Sequence, residues 1–338
     1  MNVTSIPVFI LSGFLGSGKT TLLLRLVHEA GKRGLQPAIL MNELGKLDID
    51  GHMVQSELAG VSVKKLLDGC ICCDKKSEVA YAAETLLRQR PDVLFIELTG
   101  VANPEEIADC LAEPQLLGRV RLQHIVTVLD AEHVLEYNSL FSADRQLIHT
   151  LRRQIEVADL LLLNKVDLIP PTRLRKIEKA VRKHNPKAPM LTAVHSDMDL
   201  SLLLAGVEPV PDKHPAGRNP FHVFRHMPSS GQAAEQDGGA AVRHRSFARL
   251  STVVLPCPNP VKPETVERFL QANASRLLRA KGYLNTGAGP SAYLMQYAGK
   301  RFSWKQAAYD GERYIVAIGM DLDSERLAKE WLLASADM

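Results

Sequence analysis

An apolar run, "IPVFILS" (residues 6–12), leads into "GFLGSGKT" (Gly13 to Thr20), and a segment with helical apolar spacing (19–31) follows at once. Strand, glycine-rich turn, helix: this order demands a βα unit whose turn is shaped by backbone. Gly13, Gly16 and Gly18 permit angles that let successive N–H groups converge on one point. The helix opening near Lys19 adds the positive end of its dipole. In that context G-x-x-x-x-G-K-[ST] reads as a phosphate-binding loop. Ser17, Gly18 and Thr21 would line it, Lys19 would bridge the terminal phosphates, and the Thr20 hydroxyl would ligate Mg²⁺. A purely structural glycine turn is the alternative.

The rest of the first two hundred residues continues the alternation. "PAILMN" (37–42), "VSVKKL" (61–66), "DVLFIEL" (92–98), "HIVTVLD" (124–130), "DLLLLNK" (159–165) and "APMLTAV" (188–194) read as strands. Several are apolar on both faces, as a parallel sheet covered on both sides requires. Stretches 75–90, 143–157 and 172–184 carry helical periodicity. In the last, "RLRKIEKAVRKH" places Leu174, Ile177 and Val181 on one side, so its basic residues form a solvated face. The expected class is α/β, a doubly wound, mostly parallel P-loop NTPase sheet with a second, smaller α+β C-terminal domain. A length of 338 residues suits two domains. The expected division is 1–206, an irregular Pro- and Gly-rich linker or mobile loop at 207–246, and 247–338. In the last part "FARLSTVVL" (247–255), "AYLMQYA" (292–298) and "RYIVAIGM" (313–320) read as strands, and 263–273 and 323–335 as helices.

A phosphate loop does not choose a base. "NKVD", Asn164 to Asp167, lies at the end of an apolar strand, where ligands of an open parallel sheet collect. A carboxylate there accepts two hydrogen bonds from the ring N–H and exocyclic amine of guanine, whereas adenine presents an acceptor at the ring nitrogen. Asn164, Lys165 and Asp167 are therefore candidate guanine-site residues, with a surface turn as the alternative. "VLFIELTG" (93–100) is a buried strand ending in an acid followed by Gly100. Glu97 takes the position of the Mg²⁺-sphere acid of P-loop proteins, or orients the attacking water. As a bland alternative it faces solvent.

"DGCICCDKK" (68–76) holds three of the five cysteines. Cys70, Cys72 and Cys73 at C-x-C-C spacing suit a soft or borderline cation such as Zn²⁺, Co²⁺ or Cu⁺. Lys64, Lys65, Lys75 and Lys76 would help keep thiolates ionised. A redox-active vicinal pair and chance clustering compete with this reading. Cys110 and Cys257 are isolated bystanders. No run approaches the roughly eighteen apolar residues of a membrane span, and no basic-then-apolar leader is evident. A cytoplasmic location is expected, where clustered cysteines serve as metal or redox groups more often than as disulfides. Net charge of +3 does not imply nucleic acid.

"SGFLGSGKTTLL", "NELG", "GCICC", "ELTGVANP" and "NKVD" occur in the order seen in the CobW family of P-loop GTPases, and "LLRAKGYL" followed by "RYIVAIGMDLD" resembles that family's C-terminal domain. The resemblance covers almost the whole chain. It implies a slow GTPase acting as a metallochaperone or metal insertase, delivering zinc, cobalt or iron to a client metalloprotein. Carried over by motif, Cys72 and Cys73, with Cys70, would bind the transferred metal, and Glu43 of "NELG" is a candidate oxygen ligand. Where family members often carry an acid this chain has Lys46, although Asp48 and Asp50 are near. Glu43 to Asp50 follows the second strand, where a loop would face the γ-phosphate. One loop near both sites would let GTP organise the metal site and hydrolysis loosen it.

His214, His222, His226 and His244 fall in or near the irregular segment and read as solvated or packing residues, with a low-affinity metal-collecting loop as the alternative. Client recognition is expected in the second domain, where Arg279 and Lys281 would orient a client or satisfy helix-end carbonyls. A zinc-sensing or storage module, with GTP as a regulatory ligand, competes with the enzyme reading. A small-molecule kinase is disfavoured by "NKVD".

Overall fold

The computed structural model describes residues 5–41, 61–65, 76–137, 145–209, 250–287, 292–298 and 300–336. The first apolar run is β1 (Ile6–Ser12), followed by β2 (Pro37–Met41), β3 (Ser62–Lys65), β4 (Val93–Glu97), β5 (Val120–Asp130), β6 (Leu160–Asn164) and β7 (Met190–Ala193). They form one seven-stranded sheet in the order β3-β2-β4-β1-β5-β6-β7. Every neighbouring pair is parallel. The helices of this part are α1 (Lys19–Lys32), α2 (Lys76–Leu87), α3 (Pro104–Leu111), the short α4 (Val134–Tyr137), α5 (Arg145–Val157) and α6 (Pro171–Arg182).

Alternate residues of a strand leave on opposite faces, and both faces here are covered. Val8 and Ile10 of β1 join Leu40, Leu94 and Ile96 beneath α2 and α3. Phe9 and Leu11 join Leu22, Leu23 and Leu26 of α1 on the other side. Each of those three fully buried leucines contributes roughly 1.5–3 kcal/mol of transfer free energy. Burial on both sides is the reason these strands read as continuous apolar runs. A parallel sheet also gathers its strand ends: Leu11 and Met41 are both in register with Glu97, and Met41 with Lys65. The chain therefore enters 42–60 and 66–75 from the same edge that carries Glu97.

A separate five-stranded antiparallel sheet follows, β8 (Leu250–Pro256), β9 (Leu277–Leu284), β10 (Ala292–Ala298), β11 (Arg301–Ala307) and β12 (Tyr314–Met320), in the order β11-β10-β9-β12-β8. Helices α7 (Pro263–Ala272) and α8 (Ser324–Ala336) complete the C-terminal domain. Ile315 and Ala317 of β12 pack with Phe269, Leu327 and Trp331 of these helices. Tyr314, Val316 and Ile318, on the opposite face, belong to the core beneath α2 and α3.

β9 and β11 were not expected from the sequence, whereas the helical context of Cys110 agrees with α3. The sequence also offered Arg279 and Lys281 as helix-end or client-orienting groups. Both lie on β9 instead. Arg279 meets Glu106 at 3.2 Å and Asp109 at 3.6 Å, and Lys281 pairs with Glu113, so both hold the C-terminal domain against α3 and the turn after it. Cys110 and Cys257 are buried, in α3 and in the core beside α7 respectively. Glu43, Lys46, Asp48, Asp50, Cys70, Cys72, Cys73, His214, His222, His226, His244 and the segment 210–246 lie outside the described residues. Among the described residues no helix is long and apolar enough to cross a membrane.

Candidate functional site

The glycine-rich turn joins β1 to α1 and passes through φ values of 129° at Gly13, 74° at Gly16 and 106° at Gly18. Gly18 combines two demands that only glycine meets: it precedes α1 in a left-handed conformation, and a Cβ there would lie 2.3 Å from Asn164 Nδ2. The first turn of α1 carries no acidic side chain, so its free N–H groups and dipole are left to an anion.

Three sequence-predicted residues converge behind the turn. Lys19 Nζ, on a side chain 6% exposed, donates to the carbonyls of Gly13 and Phe14 at 2.8 Å each. Thr20 Oγ1 donates to Glu97 Oε1 at 2.7 Å. Glu97 is 8% exposed, and its second carboxylate oxygen is buried without a partner among the described residues. Glu97 therefore does not face solvent. Burial lowers the Lys19 pKa, with Glu97 opposing that shift. It raises the Glu97 pKa, with the Thr20 hydrogen bond and Lys19 opposing. Both groups are thus held where their charged forms lack solvation and a charged ligand would restore it. A hydroxyl beside a carboxylate with an unused oxygen also fits a hard, oxygen-preferring cation such as Mg²⁺. Thr21 is exposed on α1.

The "NKVD" residues separate into two kinds. Asn164, 2% exposed, spends its amide on the backbone: Nδ2 donates to Ser17 O at 2.9 Å and Oδ1 accepts from Ser196 N–H at 2.8 Å. Lys165, with φ 61°, extends to Asp130 Oδ2 at 2.7 Å. Burial alone would raise the Asp130 carboxyl, but bonds from Lys165 and the Glu132 N–H pull it below its ordinary value. Asp167 stands exposed on the 3₁₀ turn Val166–Leu168. Asn164 and Lys165 therefore hold neighbouring segments together, whereas the Asp167 carboxylate is open to solvent.

Residues 7–192, more than half of the chain, match the family described as CobW/HypB/UreG, nucleotide-binding domain. Residues 250–334 match the Cobalamin synthesis protein cobW C-terminal domain. The chain belongs to the CobW family. Its similar proteins include the zinc chaperone YjiA of Escherichia coli (strain K12), 28% identical over 95% of this chain and 96% of that protein. The zinc chaperone CobW of Sinorhizobium sp is 25% identical, over 95% of each chain. Among solved structures, the Zn(II)-bound YjiA GTPase from E. coli is 24% identical, covers 98% of this chain and 99% of its own, and has a TM-score of 0.47.

Two residues of this CobW chain escaped the motif reading. Ser196, fully buried at φ 54°, donates from Oγ to Gly18 O at 3.0 Å and from N–H to Asn164. It follows β7 on the ligand edge, so "HSD" after the last strand was the available signal. Asp130 ends β5 on the same edge, and an acid closing an apolar strand was again the clue. The grouping Asp130, Glu132 and His133 resembles a ligand set, but Lys165 already neutralises Asp130.

Proposed function

We propose that the protein is a GTP-hydrolysing metallochaperone. GTP binds along Gly13–Thr20, Asp167 accepts from the guanine ring N–H and amine, and water displaces GDP from the γ-phosphate to leave GDP and inorganic phosphate. The observation that carries this reading is the Lys19, Thr20 and Glu97 set, its lysine and acid buried, with a carboxylate oxygen left without a partner among the described residues. Lys19 exchanges its bonds to Gly13 O and Phe14 O for β- and γ-phosphate oxygens, offsetting charge that develops between them. Thr20 and Glu97 would hold Mg²⁺, which when bound would supply neutralisation of phosphate charge and polarisation of the bond to be broken. Glu97, with its raised pKa, also suits contact with the attacking water.

The cargo is a transition metal, zinc first and cobalt or iron as alternatives, held by Cys70, Cys72 and Cys73 with Glu43. The relatives named zinc chaperones support zinc. Thiolate chemistry supports it too. In support of coupling between nucleotide and metal, β2 and β3 end level with Glu97, and in sequence Glu43 comes soon after β2 and Cys70 soon after β3. A client metalloprotein receives the metal, recognised through the C-terminal domain away from Arg279 and Lys281, which are engaged with Glu106, Asp109 and Glu113.

Purified protein titrated with Co²⁺ should develop thiolate-to-metal absorbance that a Cys70/Cys72/Cys73→Ala variant lacks, and should release phosphate from GTP but not ATP. Turnover that ignores metal, with no such absorbance, removes the proposal. Metal binding without turnover leaves a zinc-sensing or storage module.

A further inference from the structure

The connection from β4 to α3 is held by a side chain that no motif announces. Gln154, in α5, is fully buried, and its Nε2 donates to Gly100 O at 3.1 Å and to Ala102 O at 2.9 Å. The same turn is closed by Ala102 N–H to Thr99 O at 3.2 Å. Gln154 is anchored in its own right, because its backbone carbonyl accepts from Thr127 Oγ1 of β5 at 2.9 Å. The preceding residue, Arg153, donates to Glu105 in the first turn of α3 at 2.6 Å. Consecutive residues of α5 thus bracket the whole connection that leaves Glu97.

The turn also rests on the phosphate loop. A Cβ at Gly100 would lie 2.6 Å from Leu15 N and 3.2 Å from Phe14 C, so the two backbones are in direct contact. Gln154 Oε1 is buried without a partner among the described residues. An unsatisfied amide oxygen costs about 1–3 kcal/mol, which an apolar residue of similar length would avoid. Packing alone therefore does not account for an amide at 154. Its two donated bonds do. Because each peptide unit is planar and trans, fixing the Gly100 and Ala102 carbonyls toward α5 also turns the Val101 and Asn103 N–H groups away from it.

We propose that Gln154 is a positioning residue for GTP hydrolysis: its amide keeps the Thr99–Ala102 turn seated on the phosphate loop, so that the turn and Glu97 face the γ-phosphate in one arrangement. The inference rests on the GTPase reading above. Only a nucleotide with a γ-phosphate senses the turn, which separates this role from general packing.

Gln154→Met keeps the length and loses both donors. It should lower kcat for GTP at least 10-fold and lower the affinity for a non-hydrolysable GTP analogue relative to GDP, with GDP affinity within about twofold of wild type. Ile148→Val, at a buried position of the same helix nearly two turns before Gln154, loosens the helix without touching the donated amide or its anchor. It should lower the melting temperature and leave kcat unchanged. Rates are expressed per GDP-binding site, so a partly folded variant still gives an answer, and Gln154→Leu replaces any variant that fails to fold. A Gln154→Met protein with wild-type kcat and an unchanged analogue-to-GDP affinity ratio overturns the assignment. If the wild type itself shows no turnover, the GTPase reading fails, and the affinity ratio still decides whether Gln154 positions the turn.

Discussion

Glu97 carries a burden that can be measured. Burial raises its pKa, so the folded protein keeps that proton to higher pH than the unfolded chain does. Stability must then fall as pH rises from the ordinary carboxylate range through the raised value. Glu97→Gln removes the charge. By calorimetry it should melt above wild type at pH 8, with the difference closing at acid pH where Glu97 is protonated in both states. Its kcat should drop about 100-fold. At the base end, Asp167→Ala should weaken GTP about 100-fold and leave ATP unchanged in competition against labelled GDP. The convergence of Lys19, Thr20 and Glu97 was legible because each belongs to a short motif whose neighbours in sequence define its setting. Ser196, Asp130 and Gln154 were not. Ser196 meets Gly18 across 178 positions and Gln154 meets Gly100 across 54, separations at which no local pattern signals contact.

Among the elements, strands buried on both faces were the easiest to read, because continuous apolar runs have few other uses in a chain of this composition. β9 was hidden by its charges: "LLRAKGYL" puts Arg279 and Lys281 into a largely buried strand, which is possible only because α3 and the residue Glu113 answer them. β11 alternates partly buried and exposed residues along an edge, with no apolar run to mark it. The Lys281–Glu113 pair is largely buried, with side-chain exposures of 9% and 14%. Lys281→Ala leaves Glu113 without its partner and should lower unfolding free energy by about 3 kcal/mol. A Lys281→Met, Glu113→Leu double variant should recover most of it. An equal loss in both would mean that the charges matter less than the shape of the contact.

Across the whole molecule, the two sheets share one core. Tyr314, Val316 and Ile318 complete the cluster that α2 and α3 begin, and α3 itself follows the turn beyond Glu97. The C-terminal domain is therefore seated on the element that leaves the nucleotide edge, and the segments bearing Glu43 and the three cysteines leave the same edge through β2 and β3. Motif order is what suggests, in the sequence, that a nucleotide site is paired with the proposed thiolate site. That β2 and β3 end on the edge that carries Glu97 needed the strand order, since β3 is separated from β1 by two strands. If the sites are coupled, the coupling is reciprocal: GTP tightens metal binding by the factor by which metal tightens GTP. The direct measurement is Zn²⁺ affinity, by chelator competition, with a non-hydrolysable GTP analogue and with GDP. A metal dissociation constant at least about fivefold lower with the analogue is the predicted result, and equal affinity with the two nucleotides would contradict GTP-controlled metal release.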